Sequence, residues 1–176
     1  METHGGVGVL FNRCYRGFEH GVVFEKDRDK VRRLASQRPT WSVYETDCVI
    51  GISNGIGEHL AVNYFDLDPW GSPWDTIAAI FDRWKYFPSK FAMAITDGQR
   101  RIAKINSAWH VEQLRPFVAC YGNEQIYENY VEICAEHLTS RAASRGYAIT
   151  KWTGYYCGYA KQMTHFGAVL ERELVS

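Results

Sequence analysis

Long apolar runs are missing from this chain. None approaches the roughly 20 residues that a membrane-spanning helix requires, and no signal-peptide pattern is visible. An excess of charge is missing too. Twenty Lys and Arg balance twenty Asp and Glu, so no global positive field exists to attract a polyanion, although a local basic patch stays open. The five cysteines (Cys14, Cys48, Cys120, Cys134, Cys157) form no C-x-x-C pair and no Cys/His ligand spacing. No metal site is therefore expected, and reduced thiols in a cytoplasmic protein account for them. Internal repeats and low-complexity segments are absent as well.

What is present describes a folded α/β chain. At 176 residues the length suits one domain spanning 1–176, able to bury a core without disulfides or metal. Apolar residues make up 46%, which argues against disorder. Aromatics reach 15%, more than such a core needs, so some are expected to line a site. Strand-like runs occur at 21–25, 41–45, 60–67 and 90–96, and two more close the chain at 147–158 and 163–171 with a hairpin-length connection. Helical segments are expected at 7–17, 27–37, 49–60 (short or broken), 72–87 and 123–146. In the fourth of these, Ser72 is a plausible N-cap, with Pro73 in the first turn. Residues 99–122 read as a long connection with at most a helical turn. The alternation of strand and helix predicts a doubly wound, mostly parallel sheet.

In such a sheet the C-terminal strand ends line one crevice. The opening METHGGVG supplies Gly5, Gly6 and Gly8, which allow a ligand to approach the backbone closely. Glu25 ends the next strand and is placed to accept both hydrogen bonds of a ribose diol. Asp47 follows the strand after that, where it can accept from an adenine amino group. The run FDLDPWGSP (65–73) then ends an apolar strand in an acid, a proline and an indole.

Together these motifs resemble the Rossmann-like S-adenosylmethionine-dependent methyltransferases, over essentially the whole chain. The matching elements are ETHGGVG (2–8), VVFEKD with Glu25, YETDC with Asp47, the FDLDPWGSP run and the closing hairpin. The resemblance implies a seven-stranded sheet whose last strand is antiparallel. It also implies an S-adenosyl-L-methionine site built from Glu2, His4, Gly5, Gly6, Gly8, Glu25, Lys26, Asp47, Cys48 and Asp66. One departure stands out: the first strand should precede the glycines, yet only Met1 and Glu2 do, so that strand is expected to be very short or truncated.

Amino-methylating members of that class end the fourth strand in Asp or Asn, then Pro, usually a second Pro, and an aromatic residue. Here the second Pro is missing, and DLDPWGSPWDTI (66–77) looks more like the tRNA guanine-N2 dimethyltransferases than the DNA adenine enzymes. The implied acceptor is an exocyclic amine of a nucleobase in RNA or DNA, with RNA favoured. Asp68, Pro69 and Trp70 would be catalytic, with Asp68 accepting from the amine, a Pro69 or Trp70 carbonyl as second acceptor, and Trp70 stacking on the base. Trp74, Arg100 and Arg101 would bind substrate, Lys104 adding to the basic patch. Arg28, Lys30, Arg32 and Arg33 lie on a helix expected to face away. His110, Trp109 and His165 are read as structural. No RNA-binding domain fits in this length, so a partner subunit or a homodimer would present the substrate, or the acceptor is instead a small molecule or a protein. A catalytically degenerate partner subunit is the third alternative.

Overall fold

The computed structural model describes residues 1–173. Among the described residues there are six strands: β1 (Val22–Glu25), β2 (Ser42–Glu45), β3 (Tyr64–Leu67), β4 (Lys90–Asp97), β5 (Tyr147–Cys157) and β6 (Met163–Arg172). β1 pairs parallel with β2, and β3 parallel with β4; β6 runs antiparallel to both β4 and β5. A single residue joins the two groups. Glu2 forms parallel bridges to Val23 on one side and Asp66 on the other. The continuous order is β2-β1-Glu2-β3-β4-β6-β5.

The expected seven strands are thus six strands plus one bridging residue, the central lane being filled only by Met1 and Glu2. The lane around Glu2 is heavily bonded, to β1 through Glu2 itself and to β3 through Met1 and Thr3. Glu2 N donates to Val22 O and Phe24 N donates to Glu2 O, at 2.8 and 3.1 Å, while Asp66 N donates to Met1 O at 2.8 Å and Thr3 N to Asp66 O at 3.0 Å. The Glu2 carboxylate is buried against the equally buried Arg38 guanidinium, 2.5 Å away. Burial pushes the Glu2 carboxyl up, and Arg38 opposes that shift. Arg38 also lies over the Phe11 ring at 4.3 Å.

The helices follow the sequence pattern, with shifted ends. α1 (Arg28–Gln37) is capped by Asp27, whose side chain accepts from Asp29 N and Lys30 N. α2 (Cys48–Ser53) is capped in the same way by Asp47. It stops far short of residue 60, because Gly55 and Gly57 adopt positive φ and turn the chain. α3 (Trp74–Arg83) begins after Pro73, with Ser72 Oγ accepting from Trp74 N. It ends before 87, since Phe87 turns in to stack on Phe91 at 4.9 Å.

The 99–122 stretch is mostly helical rather than a long connection. It contains α4 (Gln99–Asn106) and the start of α5 (Arg115–Glu128), with Ser107 in a left-handed turn and Pro116 in the first turn of α5. Its polar composition masked one-sided packing: Ala103, Trp109 and Leu114 are buried while their neighbours face solvent. The single helix expected at 123–146 is broken at Asn129 into the end of α5 and α6 (Tyr130–Ala143). Residues 7–17 form one wide helical turn, Phe11–Tyr15. Most aromatics serve the core, where Phe65, Phe81, Trp84, Phe87 and Phe91 pack beneath β3 and β4.

A buried polar relay ties three elements under the strand ends. Trp74 Nε1 of α3 donates to Tyr130 Oη of α6, and Tyr130 Oη donates to Asp97 Oδ2 at the end of β4, each at 2.8 Å. Gln99 N donates to the other Asp97 oxygen at 2.6 Å. Burial pushes the Asp97 carboxyl up to about 7.

Two stability predictions follow from these groups. Arg38→Met leaves Glu2 buried and uncompensated, and should cost about 3–5 kcal/mol in urea unfolding; the double variant Glu2→Leu/Arg38→Met should recover most of that. An equal loss in the double variant would show that the pair itself, not the stranded charge, matters. Asp97 titrates higher folded than its reference value of 3.8, so the folded state binds the extra proton between those values. Its contribution is fully present below about pH 4 and lost as pH rises through about 7. The wild type should therefore lose stability relative to Asp97→Asn across that window, and parallel urea midpoints at every pH would refute it.

Candidate active site

The C-terminal ends of the Glu2 bridge, β1, β2 and β3 open onto one cleft of about 450 Å³. It is lined by His4 and Gly6 from the first loop, Glu25 and Lys26 from the end of β1, Asp47 and Cys48 at the start of α2, and Asp68, Pro69 and Trp70 after β3. The glycines divide the work. A Cβ at Gly5 would sit 2.6 Å from side-chain atoms of Leu34 and Val23, so Gly5 lets the loop press on α1. Gly6 has φ +53 and open space around it, so its backbone faces the cleft.

The acids are held by backbone amides. Glu25 Oε2 accepts from Gly6 N at 2.8 Å, and Oε1 accepts from Lys26 N and Asp27 N at 2.8 and 3.0 Å. The carboxylate is thus aimed by its own loop, with capacity left on Oε2. Asp47 Oδ1 accepts from Val49 N and Ile50 N, and Oδ2 lies 2.5 Å from Lys26 Nζ. Burial works to raise the Asp47 carboxyl, but Lys26 and the α2 amides prevail and hold it below its ordinary value. Lys26 is raised by the same contact. Burial lowers His4, opposed by Asp68 and Asp47, which favours its neutral form. Its Nε2 is 3.6 Å from Cys48 Sγ, a thiol that burial pushes up.

A second cavity of about 540 Å³ lies on the other side of Asp68, Pro69 and Trp70. Its remaining walls are Gly71, Thr96, Gly98, Arg101, Ile102 and Met163. The three residues are the shared wall of both cavities. Pro69 is buried, Asp68 is exposed, and Trp70 is fully exposed, with no packing role of its own. Gly71, at φ +121, turns the loop back, and Gly98 N donates to Gly71 O at 2.8 Å, tying the loop to the β4–α4 turn.

Six residues expected at the site lie elsewhere, the packed Gly5 among them. The Glu2 side chain is spent on Arg38. Asp66 lines a separate cavity beneath the bridge and accepts from Tyr15 Oη at 2.8 Å; burial pushes its carboxyl up. Gly8 packs against α1, where a Cβ would lie 2.7 Å from Gln37 Oε1. Trp74 is fully buried in the relay described above. Arg100 is buried between the Tyr127 and Tyr156 rings, at 4.1 and 4.0 Å, and donates to Lys161 O. Its neighbour Arg101 alone of the pair reaches the second cavity.

Other lining residues carry no motif. Thr3, Lys30 and Thr76 line the first cleft, although the α1 cations were expected to face away. Lys30 stands in the first turn of a helix that starts beside the crevice, a position legible once Asp27 is read as the cap. Met163 reaches the second cavity only through the hairpin, and nothing local in sequence signals it.

No protein-family model matches the sequence, and no curated protein does either. Solved structures do resemble it in shape. TYW2 of M. jannaschii, in complex with AdoMet, superposes with a TM-score of 0.55 at 12% identity, over 97% of this chain and 67% of that one. The plantazolicin methyltransferase BpumL, in complex with a pentazolic desmethylPZN analog and SAH, gives 0.57 at 9%, over 98% and 76%. The N-methyltransferase NodS from Bradyrhizobium japonicum WM9 gives 0.57 at 8%, over 98% and 84%. The fold of this chain is that of the Rossmann-like S-adenosylmethionine-dependent methyltransferases.

Proposed function

We propose that the chain is an S-adenosylmethionine-dependent methyltransferase whose acceptor is an exocyclic amine of a nucleobase, in RNA rather than DNA. The observation that carries this reading is the shared wall. One acid, one proline and one exposed indole separate a polar cleft at the strand ends from a more apolar cavity beside it. A donor on one side and a flat acceptor on the other would meet there.

The first cleft fits the cofactor's chemistry. Its donor set offers the free lone-pair capacity of Glu25 Oε2 for a ribose hydroxyl, the open Gly6 backbone for close approach, and Asp47 beyond. Bound S-adenosylmethionine supplies a methyl group on a sulfonium, which leaves as a neutral thioether. The remaining task belongs to the chain. The lone pair of a base amine is delocalised into its ring, so the amine must be held in line and its protons accepted. Asp68 accepts one, and a carbonyl of Pro69 or Trp70 accepts the other. Both acceptors stabilise the positive charge that develops on nitrogen during attack. Trp70 stacks on the ring, and Arg101 contacts a phosphate. A base in a helical stem must be flipped out to reach them.

Five unpaired thiols favour a reducing, cytoplasmic location. Zero net charge favours a second reading, in which the same wall serves a small-molecule or protein acceptor.

Calorimetry with S-adenosylmethionine tests the cofactor site. Glu25→Ala should weaken binding about tenfold or more, and no detectable binding to the wild type would sink both enzyme readings. Tritiated methyl transfer onto total RNA and DNA from undermethylated cells tests the acceptor. Asp68→Ala should lower the rate about 10²–10³-fold, and Trp70→Ala should lose about 1–3 kcal/mol, mainly in KM. Label that survives Asp68→Ala unchanged would refute the assignment of the wall; label only on small molecules or protein would favour the second reading.

A further inference from the structure

Two backbone segments face each other across the second cavity. One is the loop that carries Asp68, Pro69 and Trp70; the other is the turn from β4 into α4, with Thr96, Gly98 and Arg101. They touch at Gly71 and Gly98. Gly98 N donates to Gly71 O, and a Cβ on Gly98 would lie 3.3 Å from that same oxygen and 3.5 Å from Gly71 Cα. Both partners are glycine backbone, so no side chain cushions this contact and its spacing has to be set from behind. The buried relay lies there. Its first member, Trp74, follows the wall loop at the start of α3. Its last, Asp97, precedes Gly98 and closes the turn by accepting from Gln99 N. Between them stands one hydroxyl: Tyr130 Oη accepts from Trp74 Nε1 and donates to Asp97 Oδ2. Tyr130 itself lines neither cavity. Its ring is fully buried and stacks on Trp109 at 4.9 Å, packing that a phenylalanine would keep.

We propose that Tyr130 is a positioning residue whose hydroxyl sets the distance between the wall and the β4–α4 turn, and through it the width of the acceptor cavity. A hydroxyl has one proton to give and lone pairs to receive. This one joins a donor that belongs to the loop with an acceptor that belongs to the turn. Apolar burial is non-directional, so the packing of α3 and α6 on the sheet holds these elements together without fixing the height of the loop. Two short directed bonds do fix it, because each weakens steeply with misalignment and each partner left unpaired in a dry interior is costly. Asp97 could not reach the loop alone, since its other oxygen is engaged on its own turn. The acceptor side is thereby governed from beneath by α6. The spacing stands on the geometry; its effect on an acceptor rests on the methyl-transfer reading.

Tyr130→Phe in the full chain deletes both bonds and keeps the ring. Amide hydrogen exchange at Gly98 should then quicken about tenfold or more beyond any change at Val49 and Ile50, the α2 amides held by Asp47. Leu138→Ala, a buried change elsewhere in α6, lowers stability without touching the relay and should show no such excess at Gly98. In tritiated methyl transfer onto total RNA from undermethylated cells, Tyr130→Phe should lower kcat/KM for RNA about tenfold or more, with the calorimetric Kd for S-adenosylmethionine within about twofold of wild type. If Tyr130→Phe does not fold, Trp74→Phe, which removes only the donor on the loop side, is read in the same way. Gly98 exchange that stays unchanged in Tyr130→Phe, or that quickens equally in Leu138→Ala, would overturn the proposal. So would a kcat/KM for RNA and a cofactor Kd that worsen together, the mark of a merely structural role. A wild type that transfers no methyl group would overturn the methyl-transfer reading instead, and Gly98 exchange would still decide whether Tyr130 sets the spacing.

Discussion

Everything in this fold hangs on one residue pairing with two strands at once. Without Glu2, β1 and β2 would form one ribbon and the other four strands a second sheet. A two-stranded ribbon of four residues a side is not stable alone in water. The bridge also sets the relative height of the two halves, and thereby whether Glu25, Asp47 and Asp68 reach a common cleft. The buried Arg38 guanidinium lets an acid occupy the middle of a sheet. The arrangement costs something: Nε and Nη2 of Arg38 have no hydrogen-bond partner among the described residues, so their satisfaction falls to the faces of Phe11 and Trp41.

The active-site candidates are positioned by backbone amides more than by other side chains. Glu25 is clasped by three amides and Asp47 by two. Helix caps and glycine turns are local, so carboxylates held in this way are aimed before any ligand arrives. The wall residues differ. Asp68 and Trp70 project freely, and only the loop that carries them is anchored, through Gly71 to Gly98. On the proposed function, the cofactor side would be built for fixed recognition, whereas the acceptor side would present exposed groups on a braced loop.

The order of strands, and the crevice at their ends, were legible because strand periodicity and glycine turns are short-range signals. VVFE, SVYE and YFDL stand where their β-branched and aromatic content puts them. The acids flanking them were legible for the same reason. Side-chain direction was not. Asp66 was expected in the cofactor site, but the strand ends at Leu67 and its alternation does not extend to residue 68, so Asp66 faces the cavity below the bridge instead. Trp74 and Arg100 read as surface groups beside a site, and both are drawn into long-range contacts with α5, α6 and the hairpin that no local pattern announces. The helical character of 99–122 was hidden because its apolar residues are sparse and its burial is supplied from elsewhere.

The tie between Gly98 and Gly71 bears on how an acceptor is chosen. On the proposed function, a loop braced by that bond to the turn after β4 would discriminate through the shape of its entrance more than through closure. That entrance is framed by Met163 on the closing hairpin, whose turn holds Ala160 and Lys161 at positive φ and is gripped by Arg100 through the Lys161 carbonyl. On the proposed function, acceptor preference would be delegated to a hairpin some ninety residues downstream of the acid it faces, and changes in that turn would retune it without disturbing the strand ends.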